Sequence, residues 1–135
     1  MYVIGLTGGV GSGKSYVAGR LKELCRAELL IADELGHIVM EPGTEGYQKI
    51  IARFGEDVRE RSGVLDRKKL AEVIFHDEQA LADMNAIIHP QVRAYLEQYI
   101  RERREQGGII FLETAIMYES GCDALCDEIW YVSVP

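Results

Sequence analysis

A glycine-rich segment near the N-terminus, Gly8–Ser15, most constrains what this chain can fold into. Its sequence is GGVGSGKS, and it directly follows a short apolar run rich in β-formers, Tyr2–Leu6. The segment satisfies the pattern G-x-x-x-x-G-K-[ST], in which backbone N–H groups and a helix N-terminus hold phosphate groups. We therefore predict a strand, then a phosphate-binding loop, then a helix from Gly13 to about Cys25.

The predicted loop assigns a role to each of its residues. The residues expected to contact ATP are Gly8, Gly9, Val10, Gly11, Ser12, Gly13, Lys14, Ser15 and Tyr16. Lys14 is expected to reach the β- and γ-phosphates, and the Ser15 hydroxyl to ligate Mg²⁺. The alternative is an ordinary glycine turn before a helix, which the flanking strand and helix patterns disfavour.

Three further apolar runs predict three more strands: Leu29–Ala32, Ile109–Leu112 and Ile129–Val134. Strands separated by helices predict an α/β fold with a parallel sheet. We predict a three-layer αβα core of the P-loop type from residues 1–40 and 107–135. The helical stretch between the second and third strands, residues 41–106, is too long for a simple crossover and predicts an insertion that binds the acceptor.

Apolar residues at helical spacing predict the buried helix faces. These faces are Val17, Ala18, Leu21, Leu24 and Cys25; Tyr47, Ile50, Ile51 and Phe54; Leu70, Val73, Ile74 and Phe75; and Leu81, Met84, Ile87 and Ile88. Thr44, Asp66 and Asp77 are predicted to cap the last three of these helices. Pro90 is predicted to interrupt the last helix, with a new one continuing to about Arg104.

Composition excludes some classes of function. The net charge of −7 argues against a general nucleic-acid binder. No apolar run is long enough to span a bilayer and no secretory leader is evident, so we expect a cytoplasmic protein without a membrane partner. Three cysteines in such a chain predict reduced thiols, and their spacing does not predict a zinc site.

A carboxylate, Asp33, follows the second predicted strand, which we expect to lie beside the first. Ligands in open α/β sheets bind at the carboxyl ends of the strands, where a carboxylate can accept the proton of an attacking hydroxyl. The alternative role is to cap the helix Glu34–Met40. The position of Asp33 favours a kinase, as does the lack of the guanine-reading motif N-K-x-D in the given sequence.

With these residues identified, the chain resembles dephospho-CoA kinases along essentially its whole length. The segments that carry the resemblance are Ile4–Ser15, Ile31–Asp33 in place of D-A-D, Glu41–Val58, Gly63–Phe75, Asn85–Arg93 with the pattern H-P-x-[VI]-R, and Phe111–Gly121. Only the first is specific by itself. The occurrence of all six segments in the same order as in the family is far more specific than any single segment.

The resemblance implies transfer of the γ-phosphate of ATP to the ribose 3′-hydroxyl of dephospho-CoA, with Asp33 as general base and Lys14 neutralising charge. It also implies an acceptor site formed by Thr7, Asp33, Arg67, His89, Arg93, Tyr118 and Glu119. His89 and Arg93 would share a helix face if Pro90 lies in the first turn. The alternatives are a capping histidine and two surface arginines.

The chain departs from the family pattern at three places. Ile31 replaces the first aspartate of D-A-D, Ala115 replaces a proline and leaves its loop freer, and Glu113 replaces an aspartate near the end of the third strand. Glu113 could still hold a Mg²⁺-bound water, although its side chain is longer than that of aspartate. Family members also continue into an arginine-bearing lid and a fifth strand, so we expect this chain alone to be catalytically impaired. Two alternatives stay open: another small-molecule or nucleotide kinase, and a non-catalytic nucleotide-binding module.

Overall fold

The structure is a computed structural model that describes residues 1–9 and 13–133. Its strands are β1 Tyr2–Thr7, β2 Glu28–Ile31, β3 Ile109–Glu113 and β4 Glu128–Tyr131, and all pair in parallel. Its α-helices are α1 Lys14–Cys25, α2 Ala32–Ile38, α3 Glu45–Phe54, α4 Arg67–His76 and α5 Glu78–Arg103. Short 3-10 helices span Glu56–Val58, Arg104–Gln106 and Cys122–Leu125. The predicted α/β fold with a parallel sheet is confirmed.

The order of the strands in the sheet, β2-β3-β1-β4, corrects one prediction. We expected β2 beside β1, but β3 lies between them and pairs with both: Phe111 is the partner of Ile4 on one side and of Leu29 on the other. β3 is apolar over most of its length, as expected for a strand with neighbours on both edges. Parallel strands joined by long crossovers need not be adjacent in the sheet, so the order does not follow from the sequence of elements.

The chain divides into two compact units, a sheet unit of residues 1–33 and 93–135 and a helical unit of residues 34–92. The boundaries predicted from the sequence, after residues 40 and 106, lie further along the chain. The C-terminal part of α5 belongs to the sheet unit, where the hydroxyl of Tyr99 donates a hydrogen bond of 2.8 Å to Glu28 of β2. The guanidinium of Arg103 stacks over the ring of Tyr99 and lies 3.8 Å from the same carboxylate.

In the sheet unit, α1 packs on the sheet through a small apolar cluster. Ala18 is buried in a cluster with Ile4, Leu6, Ala27 and Phe111, and Leu21 packs against it. The predicted inward positions Leu24 and Cys25 are wrong, since both are exposed. Helical spacing identifies the side of the helix that faces the core, but the strands contact only part of its length.

In the helical unit, the predicted capping residues and most of the predicted core positions are confirmed. The side-chain oxygens of Thr44, Asp66 and Asp77 accept hydrogen bonds from the backbone N–H groups of Tyr47, Lys69 and Gln79. The buried cluster comprises Ile50, Val58, Leu65, Leu70 and Met84, with Tyr47, Ile51, Phe54, Ile74, Ile87 and Ile88 packed against it. Val73, Phe75 and Leu81 were predicted inward and are exposed.

Pro90 lies inside α5 and does not end it, contrary to prediction. Proline in a helix interior removes one backbone hydrogen bond, at a cost of about 3 kcal/mol. The helix has buried residues on both sides of Pro90, among them Met84 before it and Leu96 after it. Burial of this kind contributes enough apolar area to outweigh one lost hydrogen bond. None of the helices within the described ranges is long and apolar enough to cross a membrane.

Candidate functional site

The phosphate-loop segment lies between the carboxyl end of β1 and the N-terminus of α1. Thr7 ends β1 and is buried, and Gly13 takes a left-handed conformation, φ 83°, immediately before α1. Val10, Gly11 and Ser12 lie outside the described residues. The first turn of α1 carries no acidic residue, so its free N–H groups and the positive end of its dipole are left to attract an anion.

Lys14 and Ser15, at the start of α1, both contact Glu113. The ammonium Nζ of Lys14 lies 3.3 Å from Oε1 of Glu113, and the Ser15 hydroxyl donates a hydrogen bond of 3.0 Å to the same oxygen. The side chains of the ion pair are only 15% and 5% exposed, so the ion pair is largely shielded from water. The structure thus joins the predicted phosphate-binding lysine and the predicted Mg²⁺ ligand through one buried carboxylate.

Glu113 is the last residue of β3, where it has strand neighbours on both sides. Its register partners are Leu6 of β1 and Ile31 of β2. In the sequence, Glu113 departs from a family aspartate and could still hold a Mg²⁺-bound water, but it was not predicted as a site residue. Its position at the end of a buried apolar run was the available signal, because strand ends at this edge of a parallel sheet form ligand sites.

Asp33 lies at the same edge of the sheet as Glu113. It belongs to the first turn of α2, which begins at Ala32, directly after β2. Asp33 therefore lies inside the helix and does not cap it, and its side chain is exposed. Because β2 and β3 are parallel neighbours, their carboxyl ends bring both carboxylates to one edge of the sheet.

The loop after β3 carries Tyr118 and Glu119, which are both exposed. Met117, which precedes them in the same loop, is buried, with 1% of its surface exposed. The hydroxyl of Ser120 donates a hydrogen bond of 2.7 Å to the carbonyl of Ile116. The two predicted acceptor-binding side chains therefore sit at the surface of a loop that is tied to the core.

Arg93 belongs to the sheet unit and packs against the end of this loop. An ideal Cβ added at Gly121 would lie 2.9 Å from Nη1 of Arg93. The Nε atom of Arg93 is buried and has no hydrogen-bond partner among the described residues. Gly121 was not predicted as a site residue, and in the sequence it resembles any glycine that ends a turn.

His89 and Arg67 belong to the helical unit. His89 is half-buried in α5. Arg67 begins α4, and its terminal nitrogen lies within hydrogen-bonding distance of Nδ1 of His37, a residue that the sequence did not single out. The side chains of Arg67 and His37 line a cavity of about 80 Å³ with Met40, Glu41, Pro42, Val64 and Leu65.

The remaining predicted nucleotide contact, Tyr16, is 74% exposed on α1. Within the described ranges, no group of three or more His, Cys, Asp or Glu side chains is arranged to hold a metal ion. The thiol of Cys126 lies in the sheet unit with its Sγ 4.0 Å from the sulfur of Met117. Burial, with smaller contributions from Cys122, Asp123 and Asp127, raises the pKa of Cys126 to about 12, so this thiol is unsuited to nucleophilic chemistry near neutral pH.

The comparisons with known proteins agree with this geometry. The family model described as dephospho-CoA kinase matches residues 2–135. The chain is 39% identical to the dephospho-CoA kinase of Moorella thermoacetica, covering all of this chain and 64% of the relative. It is 38% identical to that of Carboxydothermus hydrogenoformans, covering 98% of this chain and 65% of the relative. The chain thus spans about two thirds of the length of these relatives.

A solved structure has the same fold. A crystal structure from Thermus thermophilus superposes with a TM-score of 0.76 at 29% identity, covering 99% of this chain and 66% of the other. The family model matches nearly the whole chain, and the relatives are 38–39% identical to it. A shared fold alone does not require either agreement. This chain belongs to the dephospho-CoA kinase family.

Proposed function

We propose that the protein is an ATP-dependent dephospho-CoA kinase, which transfers the γ-phosphate of ATP to the ribose 3′-hydroxyl of dephospho-CoA. The observation that carries the proposal is the convergence of Lys14 and Ser15 on Glu113, at the edge of the sheet where Asp33 also lies. Phosphoryl transfer needs a cation for the phosphates, a ligand for a divalent ion and a group that orients the attacking hydroxyl. These residues are of the types that supply all three.

ATP is the proposed phosphate donor, and the N-terminus of α1 supports this role. Lys14 is proposed to leave Glu113 and move toward the β- and γ-phosphates when ATP binds. Backbone N–H groups of the loop, from Gly8 to Gly13, are proposed to donate hydrogen bonds to the phosphate oxygens. Tyr16 is proposed to contact the nucleotide from the first turn of the helix.

Mg²⁺ is the proposed metal, and the oxygen atoms of Ser15, in α1, and Glu113, at the end of β3, are suitable for it. Mg²⁺ keeps several waters and binds through one or two protein oxygens together with substrate phosphates. The Ser15 hydroxyl is proposed as a direct ligand, and Glu113 as the acceptor of a hydrogen bond from a Mg²⁺-bound water. Mg²⁺ would neutralise charge on the phosphates as the bond to the leaving oxygen breaks.

Asp33 is the proposed general base. Its exposed carboxylate is accessible to an acceptor hydroxyl, and general-base catalysis typically contributes about 10²–10⁴-fold. The proposed acceptor contacts are Thr7, Arg93, Tyr118 and Glu119 in the sheet unit, with Arg67 and His89 in the helical unit. The acceptor is thus a small molecule with anionic groups, and a cytoplasmic location stays a prediction of the sequence.

The test is an assay of phosphate transfer from ATP to dephospho-CoA by the full-length protein. Asp33→Asn is expected to lower kcat by about 10²–10⁴-fold with little change in the Kd for ATP. The matched control is Glu34→Gln, which removes the neighbouring exposed carboxylate of α2 and is expected to leave kcat unchanged. Near-normal turnover by Asp33→Asn would contradict the base role.

An acceptor panel separates this proposal from the two alternatives. Dephospho-CoA, nucleosides and shikimate are offered at equal concentration with ATP and Mg²⁺. Preference for dephospho-CoA supports the proposal, and preference for another acceptor indicates a different small-molecule or nucleotide kinase. ATP binding without transfer to any acceptor indicates a non-catalytic nucleotide-binding module.

A further inference from the structure

Gly121 leaves the space that the side chain of Arg93 fills. An ideal Cβ on Gly121 would lie 2.9 Å from Nη1, 3.1 Å from Cδ and 3.4 Å from Cζ of Arg93. Carbon atoms in a close-packed interior do not approach guanidinium atoms so closely, so any other residue here must displace the arginine. The guanidinium of Arg93 therefore lies directly on the backbone of Gly121.

The position of Arg93 is set by this packing and not by an ion pair. Among the described residues, no carboxylate forms an ion pair with Arg93, and its buried Nε has no hydrogen-bond acceptor. A buried guanidinium donor without an acceptor is unfavourable, and a ligand oxygen that reached it would relieve the cost. The planar fork of a guanidinium suits the two oxygens of a phosphate group.

Gly121 also belongs to the loop that carries two proposed acceptor contacts. Its N–H donates a hydrogen bond of 3.1 Å to the carbonyl of Tyr118. Its φ of 79° is left-handed, and it precedes the 3-10 helix Cys122–Leu125. The same residue thus ends the Tyr118–Glu119 loop and supports the guanidinium of Arg93.

We propose that Gly121 is a positioning residue that holds the guanidinium of Arg93 in place for an anionic, phosphate-bearing acceptor. The proposal rests on the proposed function for the identity of that acceptor. Gly121 does not touch the acceptor itself in this proposal. Its contribution is the absence of a Cβ, which leaves room for the guanidinium of Arg93 against the loop, where Nε has no acceptor among the described residues.

The test compares Gly121→Ala with Gly107→Ala in the full-length protein. Gly107 also has a positive φ, 66°, but its ψ is 171°, a conformation that alanine adopts less readily than the φ 79°, ψ 9° of Gly121. A Cβ at Gly107 would meet nothing within 4 Å, so Gly107→Ala carries at least as large a backbone cost without the contact with Arg93. Gly121→Ala is expected to raise the KM and Kd for dephospho-CoA by about tenfold or more, because the displaced Arg93 would lose one charge-assisted hydrogen bond to the acceptor. The Kd for ATP should stay unchanged in both variants, and Gly107→Ala should leave the Kd for dephospho-CoA unchanged too.

A double-mutant cycle with Arg93→Ala identifies the route of the effect. If Gly121 acts through Arg93, adding Gly121→Ala to Arg93→Ala should weaken dephospho-CoA binding no further. An equal loss in both backgrounds, or an equal loss from Gly107→Ala, overturns the proposal. Gly121→Asn serves as a second variant, because asparagine tolerates the left-handed backbone of Gly121 better than alanine does while still carrying a Cβ.

A measurement without acceptor separates this proposal from the proposed function. The NMR signal of the Arg93 Nε–H in the acceptor-free protein should shift in Gly121→Ala and stay in place in Gly107→Ala. An unmoved signal in Gly121→Ala overturns the positioning role whatever the enzyme phosphorylates. A moved signal in a protein that neither binds nor phosphorylates dephospho-CoA supports the positioning role and refutes the proposed function.

Discussion

Replacing Glu113 by glutamine tests the ion pair at the centre of the candidate site. The variant keeps the shape of the side chain and an acceptor oxygen for the Ser15 hydroxyl, but it removes the charge that Lys14 contacts at 3.3 Å. Two quantities should change: the free energy of unfolding, and the way ATP affinity depends on Mg²⁺. The two changes have different causes, so they can be measured separately.

The size of the stability change follows from the burial of the pair. Two unit charges at this distance attract by about 5 kcal/mol at an effective dielectric constant of about 20, and desolvation offsets part of that attraction. Removing one partner of a fully buried pair costs about 3–5 kcal/mol. The Lys14 side chain is 15% exposed and can turn toward water, so we expect a loss of about 2 kcal/mol, or about 7 °C in Tm.

The effect on ATP affinity depends on whether Mg²⁺ is present. Without Mg²⁺, the variant should bind ATP about tenfold more tightly, because Lys14 is released and one negative charge near the phosphates is gone. With Mg²⁺, the gain in affinity that the metal confers should shrink by about 10–100-fold, the usual effect of removing a group that orients a metal-bound water.

Isothermal calorimetry of ATP binding, with EDTA and with Mg²⁺, measures both affinities. Glu72→Gln is the matched control, since it removes an exposed carboxylate of the helical unit and should change stability by less than about 0.5 kcal/mol. The reasoning is refuted if Glu113→Gln binds Mg²⁺-free ATP no more tightly than the unmodified protein and keeps the full gain in affinity from Mg²⁺.

Three further predictions follow from the packing. At pH 8 a thiol reagent should modify the exposed Cys25 quickly and Cys126 slowly, because a pKa of about 12 leaves a thiolate fraction of about 10⁻⁴. Stopped-flow absorbance follows the reaction, and rapid modification of a second thiol would contradict this. Gly5→Ala should lower stability by about 1–2 kcal/mol in urea unfolding, because the new Cβ would lie 2.6 Å from Cε of Met117. Ile50→Ala should cost about 3 kcal/mol in the same assay, because Ile50 is fully buried in the core of the helical unit.

Matched controls separate these effects from general damage. Gly19→Ala in α1 adds a Cβ that meets nothing within 4 Å, and alanine in a helix interior is favoured over glycine by about 1 kcal/mol, so this variant should be stabilised. Val73→Ala truncates an exposed position of α4 and should cost well below 1 kcal/mol. If Val73→Ala cost as much as Ile50→Ala, the assignment of the helical core would be wrong.

Local features of the candidate site could be predicted from the sequence. The strand before the glycine-rich segment and the helix after it depend on residues close together in the chain, so their pattern is visible there. The capping roles of Thr44, Asp66 and Asp77 are local for the same reason, because each side chain bonds to a backbone N–H two or three residues later.

Features that depend on distant contacts could not be predicted in this way. Helical spacing predicted inward positions for Leu24 and Phe75, yet both are exposed, because the width of a buried stripe depends on what packs against the helix. Pro90 resembled a helix end because the sequence does not reveal burial on both sides of it. The order of the strands likewise depends on pairings between residues far apart in the chain.

The amino-acid sequence by itself therefore indicated the family and the α/β fold class and predicted a phosphate-binding loop, since these follow from short-range patterns and their order. Only the tertiary structure brought Lys14 and Ser15 together on Glu113, which lies 98 residues beyond Ser15 in the chain. It also placed Gly121 beneath Arg93, a contact that no spacing predicts. The physical reason is the same in both cases: parallel pairing at one edge of a sheet and close packing of side chains join residues that the linear pattern separates.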